Sequence, residues 1–189
     1  MDEKACYVLR NSDDLSVAAL LEPLTVAAHA IKKTGIPDFG SQSVLILGGG
    51  PVGLAVTVVL RTKGAKRVYI SEPTAKRQKQ NAMVADAVFD PTKEKVGDRC
   101  REMTGGGGVD VVFDCAGNDF AMSDGMDSLK HNGMYMNVAG WVKPFIIPQG
   151  HFMLKEITIR SSFAYTEEDF RETVEAFSAG TSHPPMFLK

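Results

Sequence analysis

The run Gly48-Gly49-Gly50-Pro51-Val52-Gly53 follows directly on the apolar stretch Val44-Leu45-Ile46-Leu47, and residues of these types in this order can hold a pyrophosphate. Gly48 permits a tight turn off a strand, Gly50 lets main chain approach a phosphate, and Gly53 lets the next helix pack close to the sheet. Pro51 suits the first turn of that helix, whose free amide N–H groups and positive dipole end would point at the anion. Glu72 stands at the tip of a second β-like run, Arg67-Val68-Tyr69-Ile70. An acid about 20 residues past such glycines can bind the adenosine ribose hydroxyls, and its charge repels the 2′-phosphate of NADP. The implied chemistry is dinucleotide binding, with NAD preferred over NADP. Arg77 can cover the adenine or a ribose, or stand as a solvated surface side chain; beside Glu72 it does not argue for NADP.

To place these residues, the chain must alternate strands and helices. Apolar residues at helical spacing predict a helix within residues 13–34, with Lys32-Lys33 in its last turn and Gly35 as its stop, and Pro23 starting a second helical segment. Helices are further expected at Leu54 to Lys63, Thr74 to Val84, Thr92 to Met103, Ala121 to Leu129 and Glu167 to Phe177. Beyond the first two strands, extended segments are expected at Ala87 to Asp90, Val109 to Cys115, Met134 to Ala139, 145–148 and 157–160. Strands alternating with helices predict an α/β fold, a doubly wound parallel Rossmann sheet of order 3-2-1-4-5-6. In that order the ligand crevice opens where the first and fourth strands diverge, so contacts should follow the strand ends. Cys115, Ala116 and Gly117 close the fourth strand and Val138-Ala139-Gly140 the fifth; these small residues leave room for a nicotinamide ring. The glycines at 105–108 precede a strand instead of a helix, and read as a turn.

With 189 residues, 44% of them hydrophobic and 23% charged, the chain has the composition of one ordinary globular domain. A net charge of -2 gives no electrostatic case for nucleic acid or an anionic membrane. No apolar run approaches the roughly 18 to 20 residues of a membrane span, and Met1 to Lys4 open no secretion signal, so the cytoplasm is the expected location. Cys6, Cys100 and Cys115 are scattered and lack C-x-x-C spacing, which supports neither a disulfide framework nor a cysteine-rich zinc site. No tyrosine is followed four residues later by lysine, which excludes the short-chain dehydrogenase pair. Ile46-Leu47, standing before the first glycine, disfavours an adenosylmethionine site.

Taken together, Glu22-Pro23-Leu24, Ala27-Ala28-His29-Ala30, the turn at 48–53, Glu72, Arg77 and the strand ending in Ala116-Gly117 resemble the coenzyme domain of zinc-dependent medium-chain dehydrogenases. The polyol branch, with sorbitol and (R,R)-2,3-butanediol dehydrogenases, is the best match, and the resemblance covers most of residues 5–178. It implies hydride transfer between an alcohol carbon and NAD, with zinc polarising the oxygen. It places Val52, Glu72 and Arg77 at cofactor contacts, Val138-Ala139-Gly140 and Ser162-Phe163-Ala164 at the nicotinamide, and Glu22 at the zinc. It also implies a small-molecule alcohol or polyol substrate, and a homo-oligomer built through edge strands 145–148 and 157–160.

This sequence departs from the family pattern in several places. A zinc-binding cysteine and a Gly-His-Glu motif ahead of Glu22 are lacking, and His29, His131, His151 and His183 show no mutual zinc spacing. The polyol branch has an arginine where Ala164 stands. The expected organisation is therefore a catalytic-domain boundary and lead-in helix at 1–40, the NAD-binding domain at 41–178 and a divergent tail at 179–189. Two readings stay open: an oxidoreductase domain short of most of its zinc ligands, or a non-catalytic NAD-binding or oligomerising module or truncated, inactive remnant of such an enzyme.

Overall fold

The computed structural model describes residues 6–9, 18–144 and 146–179. Helix α1 (Leu21–Thr34) leads into strand β1 (Ser43–Leu47), and α2 (Pro51–Thr62), β2 (Arg67–Ser71), α3 (Ala75–Asn81) and β3 (Ala87–Phe89) complete the first half. The second half runs α4 (Val96–Met103), β4 (Val109–Asp114), α5 (Asp119–Ser128), β5 (Leu129–Asn137), α6 (Gln149–Leu154), β6 (Thr158–Ser161) and α7 (Glu167–Ser178). All neighbouring strands are parallel, and the sheet order is β3-β2-β1-β4-β5-β6, as expected from the alternation.

Both faces of the sheet are covered, which is why the central strands read as unbroken apolar runs. On one face Val44, Ile46, Val111 and Phe113 pack under Ala27, Ala30 and Ile31 of α1 and Val56 and Leu60 of α2. On the other, Leu45, Leu47, Val112 and Tyr135 pack under Val96 and Cys100 of α4 and Met122 and Met126 of α5. Helix α7 lies outside this sandwich, where Val174 and Phe177 meet Leu21. The stop of α1 is the expected one: Gly35 is left-handed at φ +73° and its N–H returns to Lys32 O. Pro23 sits inside the first turn of α1; the expected residues 13–17 of that helix lie outside the described residues.

Local chemistry moved several boundaries. The helix expected from Thr74 ends at Asn81, where turn bonds from Val84 N and Ala85 N to Asn81 O close it. The helix expected from Thr92 starts only at Val96, because Asp90 holds residues 91–94 in a turn: its Oδ1 accepts from Thr92 N and its carbonyl from Lys93 N. Strand β5 pairs Leu129 with Val109 and then Met134 with Val111, so residues 130–133 bulge out, with Asn132 left-handed at φ +58°. The extended segment expected at 145–148 is not a strand over 146–148, and Phe145 lies outside the described residues; Pro148, which has no N–H for a ladder, instead caps α6. Helix α6 itself gave no periodic signal in so short a run. The segment expected at 157–160 is β6, an edge strand. The glycines at 105–108 form a turn, three of them at positive φ.

One lysine closes the second half of the molecule. Lys155 Nζ donates to Met126 O, Asp127 O and Leu129 O at 3.1, 2.7 and 2.9 Å, satisfying carbonyls at the end of α5 that have no helical partner. Lys155→Met is therefore expected to lower the unfolding free energy by about 2 kcal/mol, the scale of charge-assisted bonds lost at a half-buried site. Urea unfolding measures it, and an unchanged midpoint would show that water replaces the ammonium without loss.

Candidate functional site

Ends of successive strands are tied to one another along the carboxyl edge. Gly48 N donates to Ser71 O, Glu72 N to Phe89 O and Cys115 N to Leu47 O, at 2.8, 3.0 and 2.9 Å. Asp114, fully buried, then joins the β4 and β5 exits. Its Oδ1 accepts from Ala116 N and Gly117 N at 2.9 Å each, and its carbonyl accepts from Val138 N and Ala139 N. Gly117, at φ +66°, lies so close to the β5 exit that an added Cβ would stand 2.9 Å from Gly140 O. Cys115, Gly117, Val138, Ala139 and Gly140 are thus brought together, as the crevice rule required.

The glycine turn opens a cleft of about 700 Å³, lined among others by Gly48, Gly50, Pro51, Val52, Gly53, Glu72, Arg77 and Cys115. Each glycine is there for a different reason. Gly48 is left-handed at φ +89°. A Cβ on Gly53 would collide with Gly48 O, so α2 can approach β1 only with glycine there. A Cβ on Gly49 would collide with the buried Asn81 side chain, whose Nδ2 donates to Gly49 O at 3.2 Å. At Gly50 an added Cβ would meet no protein atom nearer than 3.8 Å. Gly50 also begins α2 without any side-chain cap, and Pro51 is at the first helical position, so the amides of Val52 and Gly53 lack intrahelical acceptors. An uncapped helix start beside a cradle that a Cβ would fill suits an anionic diphosphate.

Glu72 has a structural duty that the sequence did not reveal. Its carboxylate is only 2% exposed, with Oε2 accepting from Gly49 N at 2.9 Å and Oε1 from Thr74 N at 2.8 Å. It therefore shapes the turn as well as facing the cleft, and each oxygen keeps a further lone pair for a hydroxyl. Arg77, half exposed, holds Nη1 3.8 Å from Glu72 Oε2, which places it at the cleft wall next to Gly50. Pro73, Thr74, Pro91, Thr92 and Phe120 also line the cleft and had not been singled out. The rule that contacts follow strand ends, applied to β3, would have found Pro91 and Thr92.

Farther along the edge, Ser162 N donates to Asn137 O at 2.9 Å, which brings the 162–164 segment beside the β5 exit. Ser162 Oγ is buried without a hydrogen-bond partner among the described residues, Phe163 is 93% exposed and Ala164 is left-handed at φ +52°. A buried orphan hydroxyl and a strained residue at a strand end mark a place where a polar ligand group can be met. The zinc expectation fares differently. Glu22 is exposed in the first turn of α1, and among the described residues no three His, Cys, Asp or Glu side chains are gathered to hold a metal ion. Burial pushes the Cys100 thiol up to about 12 and the Cys115 thiol also upward, against the thiolate a metal needs. Among the described residues no donor set fits zinc. No helix among the described residues is long and apolar enough to cross a membrane.

Fold and site together define a dinucleotide-binding domain of the doubly wound class. The chain belongs to the zinc-binding dehydrogenase family, whose model matches residues 51–179. Over 88% of its length it is 34% identical to a (R,R)-butanediol dehydrogenase of Saccharomyces cerevisiae, of which it covers 44%. Over 95% it is 33% identical to a probable diacetyl reductase [(R)-acetoin forming] of the same yeast, again covering 44%. Among solved structures it superposes on 2R,3R-butanediol dehydrogenase from Bacillus subtilis with a TM-score of 0.83 and 26% identity, over 95% of this chain and 51% of that one. The chain spans about half the length of the relatives it matches.

Proposed function

We propose that this chain is the NAD-binding domain of a dehydrogenase acting on a small diol or polyol, with residues 41–178 forming the cofactor unit and 1–40 leading into it. The observation that carries this reading is Gly50, a glycine that no protein atom requires, at an uncapped helix N-terminus inside the cleft. In this reading the amides of Val52 and Gly53 hold the pyrophosphate and Glu72 the adenosine ribose, beside Arg77. The exits of β4 and β5, with Ser162 and its neighbours, receive the nicotinamide. NAD, when bound, supplies the hydride acceptor. The names of the relatives support the substrate class, an alcohol or ketone bearing a second oxygen on a neighbouring carbon. A cytoplasmic protein, paired with a second copy along the β6 edge, completes the reading.

Trp141, the only tryptophan, lies four residues beyond Asn137, to whose Oδ1 it donates at 3.0 Å. It stands next to the expected nicotinamide loop. Titrating NADH should therefore quench Trp141 emission with saturation and sensitise the dihydronicotinamide, and NADPH should bind at least about tenfold more weakly because Glu72 repels the 2′-phosphate. Absence of saturable NADH binding by the folded protein would sink the reading. A second reading, a binding module without turnover of its own, is favoured by the lack of a metal-holding cluster among the described residues. Oxidation of diols or polyols by the purified chain with zinc and NAD distinguishes the two.

A further inference from the structure

We propose that His29 and Asp169 are positioning residues for the nicotinamide end of the site, a role that rests on the NAD reading above: α1 clamps the start of α7 and so holds residues 162–165 in shape. This segment joins β6 to α7 and can do little to hold itself. It contains the left-handed Ala164 and the almost fully exposed Phe163. An alanine in that conformation persists only where its surroundings fix it from both sides.

Ser162 N, bonded to Asn137 O, and Tyr165, stacked on Phe170, hold parts of the segment, and the elements on either side of it are tied to α1. On the β6 side, Arg160 Nη1 donates to Lys33 O at 2.9 Å and Thr34 O at 3.3 Å, pinning the strand to the last turn of α1. On the α7 side, Thr166 and Asp169 form a capping box in which Asp169 Oδ2 accepts from Thr166 N and Thr166 Oγ1. A cap needs nothing more. Yet the same carboxylate, 3% exposed, also accepts from His29 Nδ1 at 2.6 Å and Lys32 Nζ at 3.1 Å, both on α1. Burial opposes the charge on Asp169, but the bonds from Thr166, Lys32 and His29 outweigh it and hold the carboxyl well below its usual range. An ionised carboxylate only accepts, so His29 Nδ1 carries the hydrogen. Glu172 also faces Lys32, at 3.6 Å, and Glu168 lies near it. Since α1 is packed on the sheet through Ala27, Ala30 and Ile31, the clamp transmits the position of the sheet to the segment.

Without the clamp, residues 162–165 must be ordered at the moment of binding, and apparent affinity falls by the fraction of molecules that remain pre-organised. Only a ligand with a nicotinamide would notice. ADP-ribose, held by the glycine turn and Glu72, would not. The test is calorimetric titration of NADH and of ADP-ribose into the wild-type protein, His29→Leu, His29→Gln and Lys32→Met, with circular dichroism checking the fold. His29→Leu should weaken NADH about tenfold, the scale of one lost charge-assisted bond, and ADP-ribose less than about twofold. His29→Gln, which keeps an N–H donor, should recover most of the loss. Should His29→Leu not fold, Lys32→Met is read for the same split, at about threefold. Equal loss of both ligands marks a merely structural contact and overturns the proposal, as does a wild-type NADH to ADP-ribose ratio in the folded variant. Either result leaves the NAD reading standing. A wild-type protein that binds neither ligand overturns both.

Discussion

Gly53→Ala should lower the unfolding free energy by about 3 kcal/mol, while Gly50→Ala, three residues away in the same turn, should leave it within about 0.5 kcal/mol and weaken NADH binding at least about tenfold. Alanine in a helix is worth about 1 kcal/mol over glycine, so an unhindered Gly53→Ala would stabilise α2. It is not unhindered. The new Cβ would collide with Gly48 O, a main-chain atom fixed by the left-handed Gly48 and by Gly48 N bonding to Ser71 O. No flexible side chain can yield there, so α2 must lift off β1 and surrender packing of Ala55 and Val56. At Gly50 the added methyl faces only the cleft, in an extended backbone (φ -76°, ψ -171°) that alanine adopts freely. It would then occupy the space a pyrophosphate needs and weaken NADH at least about tenfold. Urea unfolding and NADH titration of both variants give the comparison. A stable Gly53→Ala would contradict the close helix-sheet approach, and a Gly50→Ala protein with wild-type affinity would remove the pyrophosphate from this cleft.

The contrast also shows where sequence reasoning reaches and where it stops. The strand-turn-helix at 44–62 and the acid at the tip of β2 follow from the apolar runs and their spacing, and the strand order from the dinucleotide fingerprint, since alternating strands and helices alone would also suit the order 2-1-3-4-5. Assigning one reason to each glycine succeeded for Gly48, left-handed at its turn, and Gly53, where α2 meets β1, while Gly50 faces open space that its assigned ligand would have to fill. The reason for Gly49 could not be read, since the obstacle is Asn81, 32 residues away and buried. Asp114 was passed over for the same cause: it looks like the polar end of a strand, but its carboxylate and carbonyl fix the exits of both β4 and β5. His29 was weighed as a zinc ligand, and nothing local announces Asp169, 140 positions later, as its partner. Short elements failed differently. At residues 145–148 the apolar content suggested a strand, whereas 146–148 form none and the proline at 148 starts an exposed helical turn and a half, Gln149–Leu154, that no pattern announced.

Glu72→Ala should lower stability by about 3 kcal/mol and shift the ratio of NADH to NADPH affinity toward NADPH by about tenfold. The first effect comes from the turn. Two backbone donors, Gly49 N and Thr74 N, end on this carboxylate, and removing it strands the buried Gly49 amide, a loss on the scale of an unsatisfied buried donor plus a charge-assisted bond. Glu72→Gln is no conservative change here: the two donors end on different oxygens, so the amide oxygen can replace only one of them and the amide nitrogen would confront the other donor. The second effect comes from charge. With the acid gone, nothing opposes a 2′-phosphate beside Arg77, whose guanidinium stands 3.8 Å from Glu72 Oε2 and is otherwise half in solvent. Because loss of the turn weakens both cofactors alike, their ratio isolates the electrostatic part from the structural one. An unchanged ratio would mean that Glu72 serves the fold alone, and that cofactor choice is made elsewhere on the rim.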